Sequence, residues 1–343
     1  MKLARAASLS VSRIAIFFGR PGGICWAAIG IVIANVKMRR VPAAFITILN
    51  QDIPSALLWA IALEAAFYLA ACSPGPRERL AAAFGALPLA LGMIVSAVAP
   101  YLLFSLLSGT FRGPALLWLL GLAAILTFWY LRLPVAWWSD VGFLVLFGGV
   151  VLLKVFSSIF FFPGKAHPSF LGDLMWTRTA ILAVTWFRGM DGINLSLWPT
   201  AREWRIGFRQ FVNFLPIGLV LGYTLDFARP APIPDLSKLA WKAASQGLAI
   251  FLFISLREEF IFRGLLLQWY TRWWKNERLA LIAVSVIFGL VHLPFRQYPN
   301  WKFAILAAIA GWFYGRAFQL GNGVRAAMVT HLLVVFVWRV FLV

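Results

Sequence analysis

The sequence predicts an all-α protein: a polytopic bundle of about 9–10 membrane helices with a polar intramembrane cavity in its C-terminal half. Two observations carry this. Of 343 residues, 62% are hydrophobic and only 13% charged, with 31 Phe and 17 Trp, far more apolar surface than a soluble domain can bury. The apolar residues also fall in runs of roughly 20, the length needed to cross a hydrocarbon core of about 30 Å, with short basic clusters between them. The net charge of +19 lies in these clusters and not along one amphipathic face. That distribution predicts loop charges meeting anionic head groups and no nucleic-acid partner. The two cysteines, Cys25 and Cys72, both sit in apolar runs and supply neither a disulfide framework nor a thiolate metal site.

Taken in order, the chain opens with a basic, Ser-rich tail, residues 1–13, that lacks a convincing small-residue cleavage site and is expected to lead from the cytoplasm into a first membrane segment. Candidate spans follow at residues 22–36, 53–72, 82–108, 114–131 and 141–162. The first is short enough to be re-entrant. Lys37-Met-Arg-Arg40, Arg77-Glu-Arg79, Arg112 and Arg132 separate them, and Trp137 and Trp138 mark an interfacial belt. Residues 1–165 are thus a multi-helix membrane region with no chemistry-bearing motif. Its one intramembrane acid, Glu64, is expected to hydrogen-bond at an interface or between helices.

Residues 163–205 are denser in turn residues and charges, with Pro163, His167, Asp173, Arg178, Arg188, Asp191 and Pro199. Residues 166–238 are therefore expected to be a polar connection plus one membrane helix, near 207–225. His167, next to Pro168, is read as a solvated loop residue. Residues 239–343 form the expected catalytic core, with helices near 239–257, 279–293, 301–319 and 323–343.

That core holds the residues fit for chemistry. Ser255-Leu-Arg-Glu-Glu-Phe-Ile-Phe-Arg-Gly264 follows directly on an apolar run and places Glu258, Glu259 and Arg263 within two helical turns. An ionisable residue at bilayer depth costs about 2.5–3.5 kcal/mol on insertion scales, so each needs a partner, a wet cavity or a proton. Glu259 and Arg263 have the i,i+4 spacing of a helical ion pair. Glu258, about 100° around the helix, has no local cation and is left free. Two of the three histidines, His292 and His331, lie in membrane-grade segments, with Phe288 one turn before His292 and Pro294 closing that helix. A free carboxylate and two imidazoles can activate water and stabilise an oxyanion. Glu258, His292 and His331 are also a ligand set for catalytic zinc, although the His-Glu-x-x-His spacing of a zinc-protease helix is absent. The residues do not separate a metal-free mechanism, with no cofactor, from one using zinc.

Glu258-Glu259-x-x-x-Arg263, Phe288-x-x-x-His292 and His331, which follows a helix containing Gly311 and Gly315, resemble in order and spacing the CPBP family of intramembrane proteases. That family includes CAAX prenyl endopeptidases and bacterial members linked to bacteriocin processing or immunity. The resemblance covers about residues 240–340. It implies a helical bundle around a hydrophilic cavity in which Glu258 activates water, His292 and His331 support the water and the oxyanion, and Glu259, Arg263 and Phe288 shape the site. It also implies a membrane-anchored or C-terminally sorted peptide or protein substrate, and residence in a bacterial inner membrane. One position departs from the pattern. Members often carry Asn or Asp four residues after the last histidine, and residue 335 here is Val335.

The leading expectation is therefore an intramembrane endopeptidase. A non-catalytic scaffold or bacteriocin-immunity protein that keeps the fold is the alternative motivated by Val335. A proton-coupled transporter is the third, disfavoured because the polar residues cluster at one end of the chain with no paired broken helices in two halves.

Overall fold

The computed structural model describes residues 54–342 apart from 164–166, 191, 233–234 and 296–297. The N-terminal tail, the 22–36 segment, Cys25 and the Lys37–Arg40 cluster lie outside the described residues. No strand forms among the described residues. Seven helices there are long and apolar enough to cross a membrane, in agreement with an all-α polytopic bundle.

In the first half, α1 (Ser55–Cys72), α3 (Ala86–Leu107) and α4 (Gly113–Arg132) are such helices, with a short α2 (Pro74–Ala83) between the first two. The expected 141–162 span is two pieces, α5 (Trp137–Leu152) and α6 (Val155–Ile159), because Lys154 takes a left-handed backbone (φ 53°) that interrupts the helix. The segment after it also departs from expectation. Ser169–Leu182 is a helix, α7, continued by a π-helical stretch Ala183–Arg188, and Leu174 to Val184 are all buried. It packs on α1 and α3 instead of forming a solvated connection.

The reason is charge pairing across the bundle. Arg178 and Glu64, both essentially unexposed, form a two-pronged pair, Nε to Oε1 at 2.7 Å and Nη2 to Oε2 at 3.1 Å. Arg178 also donates to the Ser96 hydroxyl and carbonyl on α3 at 2.9 and 2.7 Å. Every polar atom that this cluster carries into the apolar interior is thereby bonded, as burial demands. Glu64 is accordingly an interhelical hydrogen-bonder. His167 is exposed, as expected of a loop residue.

The second half holds α8 (Ala201–Thr224), started by a capping box in which Thr200 and Glu203 bond reciprocally. One continuous helix, α9, then runs through Leu236–Ala249, Ile250–Ser255, Leu256–Glu259, Phe260–Leu267 and Gln268–Trp274. It extends well past the boundary near residue 257 that hydropathy suggested, so the glutamates are inside a helix. α10 (Glu277–Leu290), α11 (Trp301–Gly321) and α12 (Val324–Phe341) complete the bundle. α8, α11 and α12 pack on one another, α10 packs on α11, and α9 on α12. Gly289 lets α10 approach α11 closely; a Cβ there would stand 2.4 Å from the Ala304 carbonyl. The two halves meet where the Tyr68 hydroxyl of α1 donates to the Leu252 carbonyl of α9 (2.8 Å), less than two turns before Glu258.

Candidate active site

The site is built on a change of helix type. Ile250–Ser255 and Phe260–Leu267 are π-helical, and Leu256–Glu259 is the single α-helical turn between them. Such widened turns bond i to i+5 in place of i+4 and are frequent at functional sites. Glu258 and Glu259 stand on that intervening turn.

Glu259 is fully buried and carries the network. Its Oε1 accepts from Arg263 Nη1 at 3.1 Å, the expected i,i+4 pair, and from His331 Nδ1 at 2.7 Å. Arg263, 1% exposed, also donates from Nη2 to the Gly311 carbonyl at 2.8 Å. Gly311 has no side chain to spare there, since a Cβ would lie 3.3 Å from that nitrogen and 3.1 Å from Phe288. The guanidinium lies over the rings of Phe288 and Tyr314, at 4.6 and 5.2 Å from their centroids.

His331 is thus oriented by Glu259, and not by the free acid. With Nδ1 donating to a carboxylate, its Nε2 is presented to Glu258, whose Oε2 is 3.8 Å away, too far for a hydrogen bond. Tyr314 stacks on the imidazole at 4.6 Å and 15°. His292 lies in the turn just after α10, one position beyond the last helical residue's cap, because the helix ends at Leu290. Its Nδ1 donates to the Phe288 carbonyl at 2.6 Å, leaving Nε2 free. The Phe288 ring touches both imidazoles, His292 at 4.8 Å and His331 at 6.1 Å. Glu258, Glu259, Arg263, Phe288, His292 and His331 are therefore gathered from three parts of the chain. Gly311, on the glycine-containing helix before His331, joins them, as do Tyr314 and Phe303, which lies edge-on to His292 at 4.9 Å; these two aromatics carry no signal in the sequence beyond ordinary membrane composition.

Glu258 Oε2, Glu259 Oε2 and Ser255 Oγ are buried atoms with no hydrogen-bonding partner in the protein. Leaving such an atom unpaired costs about 1–3 kcal/mol or more, so three on one short stretch mark a place built to receive polar groups. Among the described residues, no three His, Cys, Asp or Glu side chains are grouped to hold a metal ion. The ligand set Glu258, His292 and His331 would have to draw together to form one. A polar cavity of about 430 Å³ lies elsewhere, lined in part by Arg77, Thr185, Asn194, Ser196 and Arg325 from both halves of the chain. A Cβ on Gly264 would stand 3.3 Å from Ile193, 3.5 Å from Val324 and 3.6 Å from Phe260.

No curated protein and no solved structure matches the chain. A family model does. Residues 240–337 match the family described as Type II CAAX prenyl endopeptidase Rce1-like, and the segment holds every residue of the three motifs. Over that last third, the chain is similar to the Rce1-like members of the CPBP family, a family of intramembrane proteases.

Proposed function

We propose that this integral membrane protein is a glutamic intramembrane endopeptidase that hydrolyses a peptide bond in a membrane-anchored or C-terminally sorted peptide or protein. The observation that carries the proposal is the contrast between neighbours: Glu259 is tied to Arg263 and His331, while Glu258 keeps a buried oxygen free beside the open nitrogen of His331. A carboxylate in that state is available as a general base.

Glu258 removes a proton from water and the resulting hydroxide adds to the scissile carbonyl carbon, placing the displaced electron pair on the carbonyl oxygen. His292 and His331 hold the water and the oxyanion. When the tetrahedral species collapses, the C–N bond breaks and Glu258 returns its proton to the leaving nitrogen, so no proton is gained or lost by the protein over the cycle. Glu259 and Arg263 fix the tautomer and position of His331 without entering the reaction.

The test is cleavage by membranes carrying wild type or Glu258→Gln, assayed on farnesylated peptides ending in Cys-aliphatic-aliphatic-X and on unprenylated membrane-anchored peptides. Loss of cleavage by a folded Glu258→Gln protein supports the proposal; undiminished cleavage removes it. A wild type that cuts neither set while keeping a cellular phenotype favours the scaffold or immunity role that Val335 motivates. Inhibition by a chelator, reversed by zinc, would favour the metal version.

A further inference from the structure

Ser255 is fully buried and its hydroxyl is bonded to nothing in the protein. Thr127 on α4 shares this state, but most buried hydroxyls on these helices do not. Thr177, Thr179 and Ser285 each fold back onto the carbonyl four residues earlier, at 2.7–2.8 Å. For Ser255 that carbonyl belongs to Phe251, and the π-helical turn directs the Leu256 N–H onto it. The Ser255 hydroxyl makes no such bond.

Its position follows from the register of α9 on α12. Glu259 meets His331, and Gly264 meets Val324, so the two helices run antiparallel. One turn back from Glu259 is Ser255, and one turn on from His331 is Val335; the two lie at the same level. Ser255, Glu258 and Glu259 are also spaced i, i+3 and i+4, on one side of the helix. The level at which the last helix offers only a hydrocarbon is therefore the level at which the facing helix offers an unused donor.

We propose that Ser255 is a catalytic residue, its O–H donating to the oxygen of the scissile carbonyl where residue 335 has no donor. This rests on the peptidase function proposed above. As hydroxide adds at the carbonyl carbon, negative charge gathers on the oxygen and the Ser255 hydrogen bond strengthens; Ser255 keeps its proton throughout. An uncharged donor held beside the reacting carbonyl is suited to this because it is in place before the charge appears.

The experiment compares wild type, Glu258→Gln, Ser255→Ala and Ser255→Ala/Val335→Asn in detergent or nanodiscs, using whichever peptide of the two sets above wild type cuts, with melting temperature measured on each. Ser255→Ala is expected to lower kcat about 10²-fold with KM nearly unchanged. It should melt at or above wild type, because the hydroxyl removed has no partner in the protein. Adding Asn at position 335 should recover a substantial part of kcat. A Ser255→Ala enzyme with wild-type kcat, or one that loses stability in step with activity, overturns the assignment of Ser255 while leaving the peptidase function standing. A wild type that cuts no peptide, or a Glu258→Gln protein that still cuts, overturns that function and the Ser255 role with it.

Discussion

Among the described residues, two carboxylate–guanidinium pairs are buried on both sides, and they differ in what they leave over. In the first half, both oxygens of Glu64 accept from Arg178, and the remaining donors of Arg178 reach Ser96. In the second half, one oxygen of Glu259 accepts from both Arg263 and His331 while the other accepts nothing, and the adjacent Glu258 keeps a free oxygen as well. A closed pair has nothing left with which to bind a substrate, so its role is to fix α1, α3 and α7 against one another. An open one retains polar atoms whose partners must come from outside the fold. The comparison teaches that accounting for every hydrogen bond, more than the presence of charge in the membrane, separates scaffold from site.

The comparison can be broken or sharpened by substitution. The largest effect is expected at Glu258: the Glu258→Gln protein should lose about 10⁴-fold in cleavage rate, about 5.5 kcal/mol of transition-state stabilisation, with an unchanged melting profile. A fall in stability instead of rate would make Glu258 another structural acid. Glu64→Gln should do the reverse. Leaving Arg178 buried without a counter-charge is expected to cost about 3–5 kcal/mol of stability, read as a lowered thermal midpoint in nanodiscs, while the surviving folded enzyme cleaves normally. His292→Ala is expected to reduce kcat by about 10²-fold with little change in unfolding; wild-type turnover by that protein would count against the site as assembled. The smallest effect belongs to Tyr68→Phe, which removes the bond from α1 to the Leu252 carbonyl and should lower stability by about 1 kcal/mol. If it also lowered kcat, the first half would be positioning the π-helical turn under Glu258.

The difference between the halves also separates what contiguous chain encodes from what packing adds. Helices of membrane length were legible from apolar runs, and the Glu259–Arg263 pair from its spacing of four, because both are properties of contiguous chain. Ser169–Leu182 was not legible as a buried helix, since Asp173 and Arg178 look like loop charges until Glu64 is brought against them. The end of α10 was nearly so: Pro294 signalled it, and the helix stops a little earlier, leaving His292 in a turn.

By itself, the sequence determined that the chain is a bundle of membrane helices, which stretch of it carries the reactive residue types, and that its last third carries the CPBP motifs. Only the tertiary structure decided which partners the buried acids meet across the bundle. Glu64 finds Arg178 across 114 residues, and His331 finds Glu259, not Glu258, across 72. Hydropathy and helical periodicity are sums over neighbours in the chain. The partner of a buried charge is settled by whichever helix packs against it, and in a low-dielectric interior that choice fixes whether a carboxylate holds the fold or is left to do chemistry.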